Sequence, residues 1–453
     1  MESYLTDWMR DHDVPGASVA VVDGADLVYA EGFGARDVAS NAPATPRTLY
    51  GIGSCSKSFT AVSLLQLAAE GRLDLSDPVS DHVSRLTDAP GDAVTVGELL
   101  THSSGVPSDG YASVLLSRLA TGDGGGLPLS SDADYDRLVA RGAEDRVTDR
   151  EEFFYYNTGY TVLGEVVSAV DGRRFDRYVR EEILDPLGMA RSTYDRESFE
   201  GEDDAMTPYY PGEDGPEESE FPFDERVYAA GGLLSSVTEL SRYLRAFLNG
   251  GSFDGTRMLA ADRVASMFEP RATRQRTPDG VEQRYGYGLM TRPFLDDTLV
   301  GHGGSIGVST AWFGFLREAG VGAVVLTNTS PDHHPMDVGA AVLSLVDGAD
   351  PARTVPREML AAKHDAVVGS YETAGGTMSA TVEREGGALA LTIGEAEMGI
   401  EYRLLPETLD RDDHRYRAVG ANGWEIPVRF DVADGDPDLF VTRWRFHRVE
   451  SGQ

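Results

Sequence analysis

The alternation of apolar and polar residues predicts strands near both ends of a region that spans residues 1–346. Two β-rich runs, Ala17–Val22 and Leu27–Ala30, flank Asp23-Gly24, a residue pair that favours a tight hairpin turn. A second pair of runs, Ser309–Phe315 and Val321–Thr327, has the same character. The pattern therefore predicts a β-hairpin close to each end of this region.

Helical periodicity dominates between the hairpins and returns after the second one. The predicted helices are Ser56–Glu70, Tyr160–Val170, a segment that follows a capping box of Ser236 and Glu239, and Pro335–Val346. The glycine-rich stretch Thr121–Gly126 is expected to be a flexible loop. Strands at both ends with helices between them predict one α+β domain, with an antiparallel sheet assembled from both ends and a helical subdomain.

The pattern changes after residue 346. Asp347–Pro356 has the proline, glycine and aspartate content of a linker. Residues 357–453 contain short alternating strands, and Phe440 and Phe446 would share one face of the last of them. This second region is predicted to be a small antiparallel β-barrel.

The charge of the chain limits its partners. It has 75 acidic against 40 basic residues, a net charge of −35, and the acidic residues are spread along its whole length. Such a surface repels phosphate backbones and anionic lipid, so we expect no binding to nucleic acid or membranes. Dispersed acid with arginine in place of lysine is typical of salt-loving organisms, where screening weakens self-repulsion.

Other features predict a cytoplasmic protein without a cofactor. Residues 1–16 lack the basic and apolar regions of a signal peptide, and no apolar run is long enough to span a membrane. The single cysteine, Cys55, excludes an internal disulfide. His333 and His334 have no third ligand at a suitable spacing, so no metal is expected.

Lysine is almost absent from the chain, which draws attention to Lys57. Lys57 and Lys363 are the only lysines among 40 basic residues, and Lys57 follows Ser54 by three positions. Arginine replaces lysine in ion pairs but cannot release its proton near neutral pH. A desolvated amine beside a serine on a helix can activate the hydroxyl without a histidine. The S-x-x-K pattern alone is also typical of an N-capping serine beside an incidental lysine.

Two further motifs follow in the chain. Tyr155 and Asn157 form Y-x-N before a predicted helix, and His302-Gly303-Gly304 forms H-x-G before the second hairpin. With S-x-x-K, these motifs in this order resemble the serine β-lactamases and penicillin-binding proteins, especially the class C-like esterases and D-aminopeptidases. The segments PGASVAVVDG, LLTHSSGVP, ILDPLGMARST and AAGGLLSS are similar to landmarks of that family.

The resemblance implies a β-lactamase/transpeptidase-like fold over residues 1–346 and a role for each motif residue. Ser54 would be the acylated nucleophile, and Lys57 and Tyr155 would move protons, with the identity of the general base left open. The backbone N–H groups of Ser54 and Ser305 would form the oxyanion hole. The implied substrate-binding residues are Asn157, His302, Gly303, Gly304 and Ser305.

The implied activity is hydrolysis of small esters, amides or D-amino-acid peptides. A β-lactamase proper would use the same mechanism, and a scaffold or penicillin-binding protein without turnover could keep the same motifs. The third motif has His302 where a lysine would contact a β-lactam carboxylate, which favours an esterase or peptidase. The stretch VTDREEFFYYN also lacks the Pro-Gly turn that family members commonly carry before Y-x-N.

The C-terminal region resembles a lipocalin-like domain that follows the catalytic domain in some family members. The similarity is to the start of that domain, at Val368–Glu372. By this resemblance the barrel would restrict access to the active site or form a homo-oligomer. A stabilising appendage is the alternative, since a fold alone does not fix a role.

Several other residues are interpreted as structural. Ser305 lies in GGSIG, which matches the G-x-S-x-G elbow of a different hydrolase fold, but a β-rich run follows it where that elbow needs a helix. Cys55 is expected to be a small buried thiol, and His102 to hydrogen-bond a loop. Tyr285 and Tyr287 are expected on a strand at a sheet edge.

Overall fold

The computed structural model describes residues 1–121, 131–149, 151–213, 215–394, 399–433 and 436–449. Residues 122–126 of the predicted glycine-rich loop lie outside this set. The chain divides into two compact units, Met1–Gln275 with Gln283–Leu343, and Arg276–Glu282 with Ser344–Gln453. The predicted domain bounds of 1–346, 347–356 and 357–453 stay predictions.

The helices are mostly short. They are α1 Glu2–Asp11, α2 Ser56–Ala69, α3 Val96–Leu100, α4 Tyr111–Thr121, α5 Asp132–Glu144, α6 Asn157–Asp171, α7 Phe175–Val179, α8 Arg196–Glu200, α9 Tyr228–Gly231, α10 Val237–Leu248, α11 Ala261–Phe268, α12 Pro335–Asp347, α13 Pro351–Thr354 and α14 Pro356–Asp365. In the described ranges, none is both long enough and apolar enough to cross a bilayer.

The larger sheet has nine strands in the order β10-β11-β12-β13-β14-β15-β1-β2-β3. Its strands are β1 Gly16–Asp23, β2 Asp26–Asp37, β3 Ala42–Pro43, β10 Ala272–Arg276, β11 Glu282–Tyr285, β12 Met290–Phe294, β13 Asp297–Ser305, β14 Thr310–Leu316 and β15 Val321–Thr327. Three two-stranded sheets pair β4 Tyr50–Gly51 with β7 Leu234–Ser235, β5 Tyr209–Gly212 with β6 Gly215–Glu218, and β8 Ser252–Phe253 with β9 Thr256–Arg257.

The predicted α+β fold of the first unit is confirmed, because its sheet joins strands from both ends of the unit. Strand β1 pairs with β2 on one side and antiparallel with β15 on the other, where Val19 lies opposite Val325. Both predicted hairpins are present as β1–β2 and β14–β15. Strands β1, β14 and β15 are almost fully buried and therefore carry long apolar runs, whereas β2 lies next to the edge strand β3 and has no buried residue.

Helix α2 lies in the middle of the first unit. Every residue from Ser56 to Leu65 is buried, and α2 packs against α6 and α9. A helix buried on all sides needs small or apolar residues around its whole circumference, as in SKSFTAVSLL. Gly71, with φ +69°, follows the helix in the left-handed conformation expected of a C-terminal glycine.

The predicted capping box at α10 is only half formed. Ser236 Oγ accepts a hydrogen bond from the backbone N–H of Glu239 at 3.3 Å, as expected of an N-cap. The carboxylate of Glu239 instead accepts bonds from Ser192 Oγ at 2.6 Å and from the N–H of Arg191 at 3.0 Å. These tertiary partners replace the reciprocal bond that the local sequence predicts.

The second unit contains a closed antiparallel barrel of eight strands in sequential order. The strands are β16 Gly369–Glu372, β17 Ser379–Glu385, β18 Ala388–Ile393, β19 Ile400–Pro406, β20 Arg415–Val419, β21 Glu425–Ala433, β22 Asp436–Val441 and β23 Trp444–Val449. Its core includes Leu389, Leu404, Tyr416 and Phe430. The predicted barrel is confirmed. Helix α13 and the start of α14 occupy part of the predicted linker, each with proline in its first turn.

The last predicted strand of the barrel is wrong. A hairpin turn at Thr442-Arg443 separates β22 from β23, and Val441 pairs with Trp444. Leu439 lies opposite Phe446 in the core, whereas Phe440 lies opposite Arg445. The alternation concealed this turn because neither Thr442 nor Arg443 is a typical turn residue, although Thr442 adopts φ +50°.

The second lysine of the chain is also buried. Lys363, in α14, has no exposed surface, and its Nζ donates to the carbonyl oxygens of Thr408 at 2.7 Å and Asp410 at 3.3 Å. It therefore fixes the segment between β19 and β20. Both lysines of this protein are interior residues, and its surface carries arginine alone as a basic residue.

Candidate active site

Ser54 is the one point at which a long buried segment reaches solvent. From Thr48 to Leu65, all of which the structure describes, every residue is buried except Ser54. Ser54 lies in a 3₁₀ turn, Gly53–Cys55, directly before α2. The fold therefore holds its hydroxyl at the start of a rigid, fully packed helix.

Two glycines let strand β13 approach this turn. A Cβ atom added at Gly304 would lie 2.0 Å from the carbonyl oxygen of Ile52 and 2.8 Å from the amide nitrogen of Ser54. A Cβ atom added at Gly53, which has φ +50°, would lie 2.5 Å from the amide nitrogen of Ser305. The backbone amides of Ser54 and Ser305 thus lie where the turn and β13 meet, and no side chain would fit between them.

Lys57 Nζ has three oxygen atoms around it. It lies 2.9 Å from Ser54 Oγ, 2.7 Å from Asn157 Oδ1 and 2.7 Å from the carbonyl oxygen of Ala230. Lys57 has no exposed surface, and this burial lowers its pKa from 10.5 to about 7. No carboxylate is among these partners, so the amine can be neutral near physiological pH.

Tyr155 completes the surroundings of the Ser54 hydroxyl. Its side chain hydrogen-bonds Ser54, and its ring centroid lies 4.9 Å from Lys57 Nζ. Burial raises the pKa of Tyr155 above its usual value of 10, so the phenol is neutral when the site is at rest. Tyr155 lies in the loop before α6, whose first residue is Asn157. Lys57 of the S-x-x-K motif and Tyr155 of the Y-x-N motif therefore both contact the Ser54 hydroxyl.

His302 lies behind these residues in a neutral state. It is 2% exposed, and burial lowers its pKa to about 3. Its Nδ1 donates to the carbonyl oxygen of Gly303 at 2.5 Å, and its Nε2 accepts from the hydroxyl of Tyr285 at 2.9 Å. Both ring nitrogens are occupied, so His302 holds β13 and Tyr285 in place.

Tyr285 was expected only at a sheet edge, and the structure places it in the site. It is fully buried at the end of β11, and its ring lies 6.4 Å from that of Tyr155 and 4.8 Å from that of His102. The spacing RYGYG would place Tyr285 and Tyr287 on the same face of a strand. In the structure β11 ends at Tyr285, opposite Met290 of β12, and Tyr287 lies beyond the strand, so the expectation of a strand is wrong for Tyr287.

His102 clamps the backbone on both sides of Tyr155. Its carbonyl oxygen accepts from the N–H of Phe154 at 3.0 Å, and its Nδ1 accepts from the N–H of Tyr156 at 3.1 Å. The interpretation of His102 as a residue that hydrogen-bonds a loop is confirmed, and that loop carries Tyr155. His102 itself has φ +58°, a conformation that few residues other than glycine, asparagine and aspartate adopt easily.

Arg274 is a cation near the site that no sequence motif indicated. Its Cζ lies 5.9 Å from the ring centroid of Tyr155. Its Nη1 donates to Gln283 Oε1 at 2.9 Å and contacts Met290 Sδ at 2.7 Å, and both partners are uncharged. Burial chiefly, then the charge of Lys57, and to a smaller extent that of Arg274, lower the pKa values of His102 and His302. Arg274 lies on β10, the edge strand of the sheet, and no sequence motif links that strand to the residues around Ser54.

Cys55 and the Ser305 side chain have the surroundings of structural residues. Cys55 is buried and its Sγ contacts the carbonyl oxygen of His302 at 3.2 Å, as expected of a small buried thiol. Ser305 is exposed, with its Oγ 3.0 Å from that of Ser330, and it ends a strand that a turn connects to β14. That context differs from the strand–turn–helix of a nucleophile elbow. Ring nitrogens of His333 and His12 lie 3.3 Å apart.

A cavity of about 470 Å³ lies against α6. It is lined by Thr161, Gly164, Glu165, Ser168, Gly172, Arg173, Arg174, Phe175, Asp176, Glu225, Arg226, Tyr228 and Ala229. None of these is a predicted site residue. The chemistry of the site therefore rests on the Ser54 cluster and not on this cavity.

Two family models match the chain. The β-lactamase model matches residues 1–347, and the model described as the Pab87 octamerisation domain matches residues 351–447. Among curated proteins, Protein flp of Staphylococcus aureus is 26% identical over 337 residues, which is 73% of this chain and 64% of that protein. The chain therefore spans just under two thirds of the length of these relatives.

Among solved structures, one covers both units and another about three quarters of the chain. The octameric penicillin-binding protein homologue from Pyrococcus abyssi is 34% identical, with a TM-score of 0.88 and 99% of both chains covered. The D-stereospecific amidohydrolase from a Streptomyces species is 25% identical, with a TM-score of 0.60 over 76% of this chain and 97% of that one. From the family model over residues 1–347 and the fold, this chain belongs to the β-lactamase family.

Proposed function

We propose that the protein is a serine hydrolase that forms an acyl-enzyme on Ser54. The supporting observation is the position of one oxygen atom: Ser54 Oγ, at the solvent-facing opening of a buried segment, contacts both Lys57 Nζ and the Tyr155 side chain. A nucleophile with two proton carriers in contact matches the requirement of covalent catalysis.

Counting hydrogen bonds favours Lys57 as the base for acylation. A neutral amine donates two hydrogens and accepts one. Asn157 Oδ1 and the carbonyl oxygen of Ala230 can only accept, so they take both hydrogens of a neutral Lys57. The lone pair then faces Ser54 Oγ, 2.9 Å away. A pKa of about 7 makes this state accessible near neutral pH.

The remaining steps follow from the same contacts. Ser54 Oγ attacks the substrate carbonyl carbon while its proton passes to Lys57, and the amides of Ser54 and Ser305 stabilise the oxyanion. The neutral phenol of Tyr155 donates its proton to the leaving group and then takes up the proton that Lys57 received, so both groups are neutral again. Water then attacks the ester carbonyl while its proton passes to Lys57. As the intermediate collapses, Lys57 returns that proton to the departing Ser54 oxygen, which releases the acid and free Ser54.

We assign small esters, amides and D-amino-acid peptides as the substrate class. Support comes from a similar structure described as a D-stereospecific amidohydrolase. The motif analysis found no cation for a substrate carboxylate, but the guanidinium of Arg274 lies beside Tyr155. Because Tyr155 would protonate the leaving group, Arg274 favours substrates with an anionic group on that side.

Arg274 also favours the alternative of a β-lactamase or a penicillin-binding protein without turnover. Such proteins need a cation for the β-lactam carboxylate, and the third motif of this chain supplies none. The two functions share every step to the acyl-enzyme and differ in substrate and in deacylation. Comparing the rate of nitrocefin hydrolysis with the rates of ester and D-amino-acid amide hydrolysis separates the two functions.

We further propose that the chain forms a homo-oligomer through its C-terminal barrel. Support comes from the octamerisation-domain model over residues 351–447 and from the similar octameric homologue. A salt-loving origin and a cytoplasmic location stay predictions. Because of the predicted salt-loving origin, the assays are run in molar salt. Screening at that ionic strength weakens the repulsion between copies that each carry a net charge of −35.

The decisive experiment compares wild type with Ser54→Ala in molar salt. It measures turnover of a short-chain nitrophenyl ester, and mass spectrometry locates the adduct of a serine-reactive fluorophosphonate. We expect turnover and an adduct on the Ser54 peptide in wild type, and neither in the variant. A folded wild type without turnover or adduct would refute the proposal, and an adduct on Ser305 would identify a different nucleophile.

A further inference from the structure

The buried hydroxyl groups of helix α2 are bound in two different ways. A serine or threonine inside a helix can donate to a carbonyl oxygen of the preceding turn, and Ser63 Oγ does so to Phe59 at 2.9 Å. Thr60, which has no exposed surface, does not. Its Oγ1 donates to the carbonyl oxygen of Ala229 in α9 at 2.7 Å. The hydroxyl of Thr60 therefore joins two helices.

Helix α9 presents two consecutive carbonyl groups to α2. Carbonyl groups point toward the C-terminal end of a helix, and those of the last turn lack partners within it. In α9 the carbonyl oxygen of Ala229 accepts from Thr60, and that of Ala230 accepts from Lys57 Nζ at 2.7 Å. Lys57 and Thr60 are three positions apart and lie on the same side of α2. This side of α2 thus binds the C-terminal end of α9.

The same part of α2 also holds the chain that follows α9. The N–H of Leu233 donates to Ser56 Oγ at 3.2 Å. The hydroxyls of Ser56 and Thr60 do not titrate near neutral pH, so these two contacts persist whether Lys57 is charged or neutral. They keep α9 in one place while the amine between them gains and loses a proton.

The titratable side chains near Lys57 are uncharged near neutral pH. They are Cys55, Tyr155, Tyr160, His102 and His302. Burial raises the pKa of the thiol and of both phenols, and it lowers the pKa of both imidazoles. The cation Arg274 lies against the ring of Tyr155, and its charge is the same in every variant compared below. Local dipoles such as the Ala230 carbonyl therefore stabilise the charge of a protonated Lys57.

We infer that Thr60 is a positioning residue for Lys57, because it holds the Ala230 carbonyl against Nζ through its hydrogen bond to Ala229. The inference rests on the proposed acylation of Ser54, since it concerns the base of that step. With the carbonyl in place, one hydrogen of the neutral amine points away from Ser54 Oγ and the lone pair can face that atom. A carbonyl that moves away leaves this hydrogen free to turn toward Ser54 Oγ.

The test is the pH profile of ester turnover from pH 5.5 to 9 in constant molar salt. It compares wild type with Thr60→Val, which keeps the shape of the side chain and removes the donor. We expect kcat to fall about tenfold, because the base is misplaced. We also expect the midpoint of kcat/KM to fall by about 0.5 pH unit, because the protonated amine loses the carbonyl dipole. Thr60→Ser, which keeps the donor, should restore both quantities.

Ser63→Ala is the matched control, since it removes an equally buried hydroxyl whose hydrogen bond stays within α2. Its kcat and its midpoint should stay close to those of wild type. If Ser63→Ala has the same effects as Thr60→Val, loosening of α2 explains them and the role of Thr60 is overturned. A lower kcat in Thr60→Val without a shift of the midpoint, or no effect on either, also overturns it.

Two results in the wild type separate this role from the proposed function. A folded wild type without turnover overturns both, whereas an active wild type with a flat pH profile removes only Lys57 as the base, and the role of Thr60 with it. Thermal melting identifies a Thr60→Val variant that fails to fold. In that case Thr60→Ala takes its place and is compared with Ser63→Ala by the same two quantities.

Discussion

The imidazole of His102 lies 4.4 Å from the ring of Tyr155, centroid to centroid, and its Nδ1 accepts a hydrogen bond from the N–H of the next residue, Tyr156. We predict that His102→Asn lowers kcat by about tenfold and His102→Ala by about 10²-fold, because small misplacements of a reacting group are costly. Asparagine keeps an acceptor at the place of Nδ1 and tolerates φ +58°. The measurement is kcat and KM with thermal melting. Equal kcat values for the two variants at similar stability would contradict a positioning role.

Lys57→Arg should abolish activity. An arginine retains the positive charge but cannot act as a base, so we expect a loss in kcat of about 10³-fold or more. Lys363→Arg is the matched control, since Lys363 is equally buried and donates to two carbonyl oxygens in the other unit. Near-wild-type turnover in Lys57→Arg would remove the proton-transfer role of Lys57.

The pH dependence should follow Lys57. Its pKa is lowered to about 7 by burial, and the neutral amine is the active form. Ester turnover, as kcat/KM, is therefore expected to be low at pH 5.5 and to rise through a midpoint near 7. A stopped assay from pH 5.5 to 9 in constant molar salt checks this. A flat profile, or one that falls as the pH rises through 7, would exclude this base.

His334 should limit stability in acid. Its Nδ1 accepts from the N–H of Met336 at 3.0 Å, and burial lowers its pKa from 6.5 to about 4. The unfolded chain therefore binds the proton first, so the contribution is complete above pH 6.5 and is lost as the pH falls through 4. The upper limit of this loss is about 3 kcal/mol.

His334→Asn keeps an acceptor for Met336 and removes the titration. Urea unfolding of wild type and variant at pH 7 and pH 4.5 measures the effect. Wild type should lose more stability between these two pH values than the variant does. Identical losses would mean that other groups account for the acid sensitivity.

Arg274→Gln should separate substrates by charge. For a substrate with a carboxylate on the leaving-group side we expect KM to rise about tenfold, because a charge-assisted hydrogen bond is lost. For the matched methyl amide, KM should be unchanged. Steady-state kinetics on this pair gives the answer, and an equal effect on both substrates would show that Arg274 acts only through its packing near Tyr155.

The motifs named the residues that surround the Ser54 hydroxyl but not the residues that hold them in place. Ser54, Lys57, Tyr155 and Asn157 could be named because short-range spacing and motif order mark them. His102, Arg274 and Tyr285 depend on how distant strands and loops pack, which no local pattern records. The rarity of lysine was only partly informative, because Lys363 shows that a buried structural site also retains lysine.

The same limit applies to the fold. Both sheet hairpins were predictable because β1, β14 and β15 carry nearly continuous apolar runs and Asp23-Gly24 marks the turn between β1 and β2. The turn at Thr442-Arg443 was missed because its residues have no turn preference. The capping box was only half formed because the Glu239 carboxylate accepts a hydrogen bond from Ser192, which is distant in sequence. Local patterns predict where helices and strands form. Tertiary packing decides which of several possible partners a side chain contacts.

The burial of both lysines gives this protein two built-in reporters of opening. Lys57 lies in the first unit and Lys363 in the second, and neither has exposed surface. An amine-acylating reagent can modify either side chain only after the structure around it has opened. The rate of acylation at each lysine, followed by peptide mass, would therefore measure the opening free energy of each unit separately, in the unaltered protein and without an engineered probe.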